Sequence, residues 1–427
     1  MIYIPAIYFL LLFIYILKKN GFDISACIIS VYLLTSLCSI IIYNDFDTYK
    51  YGLGIKAMDL DIIPTIIYCG MVTLVTIPFI RFNSNKKRML KSINPSIFNF
   101  LSLCFICSFF FCLFLFKDDL IYRITMGNNI GDMRGAEVVT AQNKLNGIIK
   151  VISTIAVSIC SVSVVCLILF FYSVTFLKKP WWFNGLILLS SVGCIIQGIM
   201  GIDRSIAFYW ILNSFFIFIF FRPYLSRKTK RIIIIFALIA LVGLASYLAM
   251  LSFSRFGDRA FNALIGYMGQ NYTNFCWFWN RYEAPEMNWG IFCPITSRFF
   301  IDWGYPVSAY SYGFYVQSKV GYFVNVFYTF MGTIMLYLGQ WAVIPFCIIY
   351  NIIASFILRH KKVLSISTIL LIFIIAIIPY DGVILYLLVD YIKAFGFWFI
   401  IAVCLFINSN KIIKLARKSK VRGLGKR

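Results

Sequence analysis

Histidine is almost absent from this chain: His360 is the only one among 427 residues. It lies in the basic run Arg359, His360, Lys361, Lys362, a solvated turn, so a histidine base or a histidine-rich metal site is excluded. Acids are scarce as well, 16 against 39 lysines and arginines, and charged residues make up 13% of the chain where soluble domains carry about 25%. That shortage excludes an ordinary soluble domain with a charged surface. Phosphate-cradling and nucleophile motifs are also missing. The chain has no GxxxxGK[ST] loop, no GxGxxG following a strand and no GxSxG elbow, so neither a nucleotide site nor serine-hydrolase chemistry is signalled. No internal repeat or low-complexity tract stands out, and no inverted repeat of the kind common in secondary transporters.

What the chain has instead is apolar surface, 61% of its residues. A soluble helix needs only one apolar face, whereas here fully apolar runs long enough to cross a bilayer recur from end to end. The expected fold is an all-α polytopic membrane protein. Eleven spans are predicted, over about 2–17, 24–43, 62–80, 97–116, 148–176, 183–200, 206–221, 232–253, 334–358, 363–378 and 383–407. The chain accordingly divides into eight spans over 1–253, a long loop carrying short helices over 254–333, three spans over 334–407 and a basic tail over 408–427. The first segment has neither a basic n-region nor an A-x-A site and reads as an uncleaved span.

The formal charge of +23 belongs to the connections rather than to a folded basic face, which speaks against nucleic acid. If alternate loops are placed inside, that side collects Lys18, Lys19, Arg81, Lys86, Lys87, Arg88, Lys91, Lys178, Lys179, Arg222, Arg227, Lys228, Lys230, Arg231, Arg359, Lys361, Lys362 and the eight basic residues of the tail, with Asp23 its only acid. The positive-inside rule then puts the N-terminus outside and the C-terminus inside, with the tail able to rest on anionic lipid.

Eleven of the thirteen cysteines fall inside predicted spans, where they read as small buried hydrophobes. Cys276 and Cys293 lie in the long outer segment. They are either a disulfide closing a loop around "FCWFWNRYEAPEMNWGIF" or two buried thiols. That segment also holds four of the nine tryptophans, too aromatic for a solvated linker. Its rings serve either as an interfacial belt or as sugar-stacking faces. Two smaller features remain: Asp132, Arg134 and Glu137 in a turn-rich loop, and Asp390 and Lys393 on one face of the last span, an intramembrane ion pair.

Arginine is the informative residue outside. Arg204, in the short turn "GIDRS", is either an interfacial anchor or a ligand for an anionic group. Arg255 and Arg259 in "SRFGDRAF" stand one turn apart on an expected helix, and Arg281 and Arg298 follow in the long segment. The planar guanidinium stays protonated and forms bidentate bonds to phosphate, and a lipid-linked diphosphate is the anion that lies at this depth.

Three stretches carry a family resemblance: "GIDRS", "YMGQNYTNF" at 267–275, and "NVFYTFMGTIMLYLGQWAV" at 325–343. With the span count and the one long outer loop in the C-terminal half, the chain resembles the O-antigen polymerases, the Wzy-type oligosaccharide repeat unit polymerases. It departs from their N-x-Y-T pattern by the inserted Phe327, and Tyr337, Leu338 and Gly339 stand where an Asp-Phe-Gly often follows.

The resemblance implies a multi-pass protein of the bacterial inner membrane. It would transfer a growing glycan from its undecaprenyl diphosphate carrier to an incoming lipid-linked repeat unit, without metal or cofactor. Donor and acceptor oligosaccharides and membrane lipid are its expected partners, with a chain-length regulator protein as a further candidate. In this assignment Arg204, Arg255, Arg259 and Arg298 bind the diphosphate, with Arg204 also catalytic, and Glu283 or Asp302 is the catalytic base. Tyr267, Asn274, Trp277, Trp279, Arg281, Asn325 and Tyr328 bind sugar. Of the competing readings, O-antigen ligases and membrane acyltransferases typically rely on a histidine this chain lacks on that side. A flippase for the same lipid-linked sugars would show paired halves, charges within spans and short loops.

Overall fold

The computed structural model describes residues 1–44, 60–91, 93, 95–125, 147–201, 204–284, 287–288, 309–321, 324, 329–359, 363–383 and 396–403. Almost all of them are helical. The N-terminal half contains α1 (Tyr3–Asn20), α2 (Ile24–Asn44), α3 (Ile62–Phe82), α4 (Pro95–Leu115), α5 (Lys117–Thr125), α6 (Gly147–Ser161), α7 (Val165–Tyr172), α8 (Trp181–Ser190) and α9 (Gly193–Gly201). Then follow α10 (Arg204–Phe221), α11 (Arg227–Phe256), α12 (Ala260–Arg281), α13 (Ala309–Val320), α14 (Thr329–Leu338), α15 (Val343–Leu358) and α16 (Ile366–Tyr380). Two short strands, β1 (Met89–Leu90) and β2 (Val363–Leu364), pair in parallel, Met89 opposite Val363.

Backbone groups inside a bilayer find no water, so spans close their hydrogen bonds internally and stop at caps. Asp23 Oδ1 accepts from the amides of Ser25 and Ala26 at 3.0 and 3.1 Å and starts α2. Asp61 caps α3, Ser226 caps α11 and Ser365 caps α16 in the same way. Gly257, at φ 55°, ends α11, a conformation that a side chain would strain.

Among the described residues eight helices are long and apolar enough to cross a membrane, or nine if the bent pair α6 and α7 counts as one span. The expected span 148–176 is this pair, broken by a 66° bend. The expected span 334–358 is divided: α14 stops at Leu338, Gly339 turns the chain at φ 86°, and the crossing helix runs Gln340–Leu358. The span 232–253 lies within the 30-residue α11. Most of the span 383–407 lies outside the described residues, as do Asp132, Arg134, Glu137, Asp390 and Lys393. The chain stretch expected to be a loop from 254 onward begins as helix: α11 extends to Phe256 and α12 continues for 22 residues.

α16 is the central helix, with 89% of its window buried, whereas α1 is peripheral at 22% and turns Ile7 and Leu11 outward. α2 packs between α1, α12 and α16, and α15 lies along α3. The basic connections gather at one end of this bundle. Asn85 Nδ2 donates to Asn20 O at 2.7 Å, and Arg222 Nη2 donates to Phe22 O at 2.8 Å and to Asn85 Oδ1 at 2.9 Å. The Arg88 amide donates to Tyr224 OH at 3.1 Å, and the Lys91 amide to Leu364 O at 2.8 Å. Four connections far apart in sequence are thus tied into one basic end.

Candidate functional site

The opposite end of the bundle is crossed by α12. At Gly269 a Cβ would stand 2.5 Å from the Cys38 carbonyl carbon and 2.4 Å from Ile42 Cδ1, so only glycine lets α12 lie this close to the last turns of α2. Ser39 Oγ donates to Gly269 O at 2.5 Å across that contact. Tyr272 OH and Thr65 Oγ1 share a 2.6 Å hydrogen bond at the first turn of α3, and the Tyr68 ring lies 5.2 Å from Tyr272 and 5.5 Å from Phe275. Trp279 meets Trp341 edge to face at 5.5 Å, just before α15. Tyr282, the residue after α12, donates its hydroxyl to Leu336 O of α14 at 2.8 Å. The partners on α2, α3 and α15 all stand at the end of the bundle away from the basic connections.

At about 100° per residue, the side of α12 turned away from these α2 and α3 contacts carries Tyr267, Gln270, Asn271, Asn274 and Arg281. Gln270, Asn271 and Asn274 are buried to 2%, 0% and 1% exposure. Three buried amides so close along one helix are unusual, since an amide taken from water without a partner costs about 1–3 kcal/mol. Asn271 Nδ2 donates to Met268 O at 3.1 Å, while Asn271 Oδ1 and Gln270 Oε1 meet no donor among the described residues. Thr329, which opens α14, is fully buried and stands at φ 66°, a strained conformation for a β-branched residue; its hydroxyl too meets no partner among the described residues.

Of the residues singled out in sequence, Tyr267, Asn274, Trp277, Trp279 and Arg281 are brought onto α12. Asn274 and Trp279 are buried, Tyr267 and Trp277 half-buried, Arg281 exposed. Glu283 is exposed just beyond the helix. Arg204 is the first residue of α10. Arg255 ends up in the last turn of α11 and Arg259 beyond Gly257, so the single helix expected to carry both is interrupted between them by the positive φ of that glycine. Arg298, Asp302, Asn325 and Tyr328 lie outside the described residues, as does Cys293. Cys276 is a free, buried thiol facing Tyr272, and the bridge considered for it would involve Cys293, outside the described residues.

One buried acid escaped the sequence reading, which placed residues 379–382 in an outer turn. Asp381 is 2% exposed and belongs to the apolar span Ile366–Val383. Asn213, the tenth of the eighteen residues of α10, donates to both of its carboxylate oxygens, at 3.0 and 2.8 Å. Tyr380 OH donates to Leu212 O at 2.9 Å beside it. The carboxylate therefore sits against the middle of a spanning helix. Its only signal in the sequence is an acid following an unbroken apolar run, "ILLIFIIAIIPYDG".

Among the described residues no three His, Cys, Asp or Glu side chains come together as a metal site. The chemistry offered at the α12 end is that of amides, hydroxyls and aromatic rings with arginine at its margin, a set suited to hydroxylated and anionic groups. No protein-family model, curated protein or solved structure matches the chain. The helices themselves define its class, an all-α polytopic membrane protein.

Proposed function

We propose that this protein polymerises lipid-linked oligosaccharide repeat units by glycosyl transfer, in the bacterial inner membrane with its α12 end facing the periplasm and the basic end facing the cytoplasm. The observation that carries the reading is α12 itself. The stretch "YMGQNYTNF", which resembles the long-loop segment of the O-antigen polymerases, is a helix with a buried amide face at the end of the bundle away from the basic connections.

In the proposed reaction an acceptor hydroxyl oxygen forms a bond to the anomeric carbon of the donor while the bond from that carbon to the undecaprenyl diphosphate oxygen breaks. The electron pair leaves on the diphosphate and the hydroxyl proton passes to a carboxylate, Glu283 or Asp302. The anomeric carbon passes through oxocarbenium character. Arg204, Arg255, Arg259 and Arg298 would neutralise the charge developing on the leaving group, the largest demand in such a step. Undecaprenyl diphosphate is already a good leaving group, so this needs no nucleotide.

Deleting the protein should leave cell-surface glycan with single repeat units and no ladder of longer chains on a gel. A ladder in the deletion strain would sink the proposal. Arg204→Ala should abolish the ladder while the protein still reaches the membrane at normal abundance.

A second reading, translocation of the same lipid-linked sugars, is favoured by one observation, the carboxylate of Asp381 buried within a span. Under that reading the deletion strain loses the transported units altogether rather than only their polymers, and Asp381→Asn reproduces the loss.

A further inference from the structure

The amide face of α12 is buried yet keeps acceptor oxygens without donors among the described residues. Gly269 sets α12 against α2, and Tyr272, Phe275 and Cys276 set it against α3, so these two contacts do not use Gln270 or Asn271; α11 and α14 also pack on the helix. A position used only for packing would be filled at least cost by an apolar side chain, because a buried carbonyl without a donor loses its hydration and gains nothing. Two adjacent residues nevertheless keep acceptor oxygens, Gln270 Oε1 and Asn271 Oδ1, that meet no donor among the described residues, and Asn271 has already committed its own Nδ2 to Met268 O. What is left over is acceptor capacity, and the group that complements it is a hydrogen donor with no formal charge to desolvate.

We infer that Gln270 and Asn271 form a hydroxyl-reading subsite for a carbohydrate, their side-chain carbonyl oxygens accepting from two sugar hydroxyls. This rests on the proposed function for the source of the sugar, a lipid-linked repeat unit. It goes beyond that proposal in adding to the expected sugar-binding residues two that the sequence did not single out, both buried inside the bundle end. Tyr267 lies half-buried on the same side of α12. A site built to bond hydroxyls rejects ligands that lack them, because its acceptors are then left unpaired. The amides of α12 therefore serve selection of the sugar, and the stability they forgo is the trade that binding sites make.

The test uses the full-length protein in lipid nanodiscs made with a sugar-free detergent, since a maltoside headgroup carries the same hydroxyls. A printed array of bacterial surface oligosaccharides is the probe, followed by titration of the best-retained oligosaccharide against tryptophan fluorescence. The wild type should retain a subset of the array. Gln270→Leu and Asn271→Leu should each weaken that binding about tenfold or more while melting at the same temperature as the wild type or higher.

A structural role for the amides, or a trapped water satisfying them, predicts the reverse: lower melting temperatures and unchanged binding, which overturns the subsite. An array that retains nothing on the wild type overturns it equally. The proposed function fails separately. Absence of the ladder in the deletion strain, with glycan binding indifferent to both substitutions, removes the subsite and leaves the polymerase standing. A full ladder in that strain, with binding that depends on Gln270 and Asn271, removes the polymerase and keeps the subsite.

Discussion

Asn213 donates its side-chain amide to both oxygens of Asp381, joining the middle of α10 to the end of α16 across 168 positions of sequence. A carboxylate in a bilayer-spanning bundle is tolerated only where protein donors replace water. Removing the donor leaves the acid buried. Asn213→Ala should therefore cost about 3 kcal/mol, read as a fall in the thermal unfolding midpoint of the purified protein. Asp381→Asn, which carries no charge to desolvate, should cost less. Equal losses from the two substitutions would show that the pair acts only by packing.

The contact of α12 with α2 depends on Gly269, where an added methyl meets backbone and cannot be relieved by a rotamer change. Gly269→Ala should destabilise by about 2 kcal/mol through overpacking. Gly70, in the interior of α3, has nothing within 4 Å of an added Cβ, and Gly70→Ala should be neutral or slightly stabilising. Parallel melting curves of the two variants check the contrast.

Asp23 lies between α1 and α2 with no exposed surface, and burial pushes its carboxyl above the ordinary carboxylate value despite hydrogen bonds from Ser25 and Ala26 that pull it down. An acid whose folded value is raised binds its proton more tightly when folded. Its contribution to stability is complete below the unfolded value and is lost as pH rises through the folded one. Melting temperatures measured from about pH 4 to about pH 8 should fall on this account in the wild type. Asp23→Asn keeps an acceptor for the amides that start α2 and should flatten the curve, the two proteins converging at the acid end. A wild-type curve that rises with pH to the same extent as that of the variant would refute the assignment.

Much of the fold was legible in the residues because the bilayer is a demanding solvent. Runs such as "PSIFNFLSLCFICSFFFCLFL" can only be helices that close their own hydrogen bonds, and the structure has α4 there. Asp61 stands directly before the expected span 62–80, whereas α11 starts after Ser226, ahead of the expected 232, and α16 starts after Ser365, inside the expected 363–378. Composition marked the segment after 254 as too aromatic for a solvated linker and as carrying short helices, and the 22-residue α12 stands there. Hydropathy carries no record of the Gly269 contact and the Tyr272 to Thr65 hydrogen bond that dock this helix. It also joined α14 to α15, because Gly339 is a single residue in an apolar run and its left-handed turn has no hydropathy signature.

Local properties that need no neighbour were therefore determined by the sequence alone: apolar spans, the helices that fill them, and basic connections that alternate along the chain. The tertiary structure decided which end of the bundle α12 closes, that Cys276 is a free thiol, and that Asp381 is buried against Asn213 rather than exposed in a turn. The physical reason is that burial of a polar group depends on partners brought from distant positions, and a one-dimensional pattern records the cost of the group but not the donors that meet it.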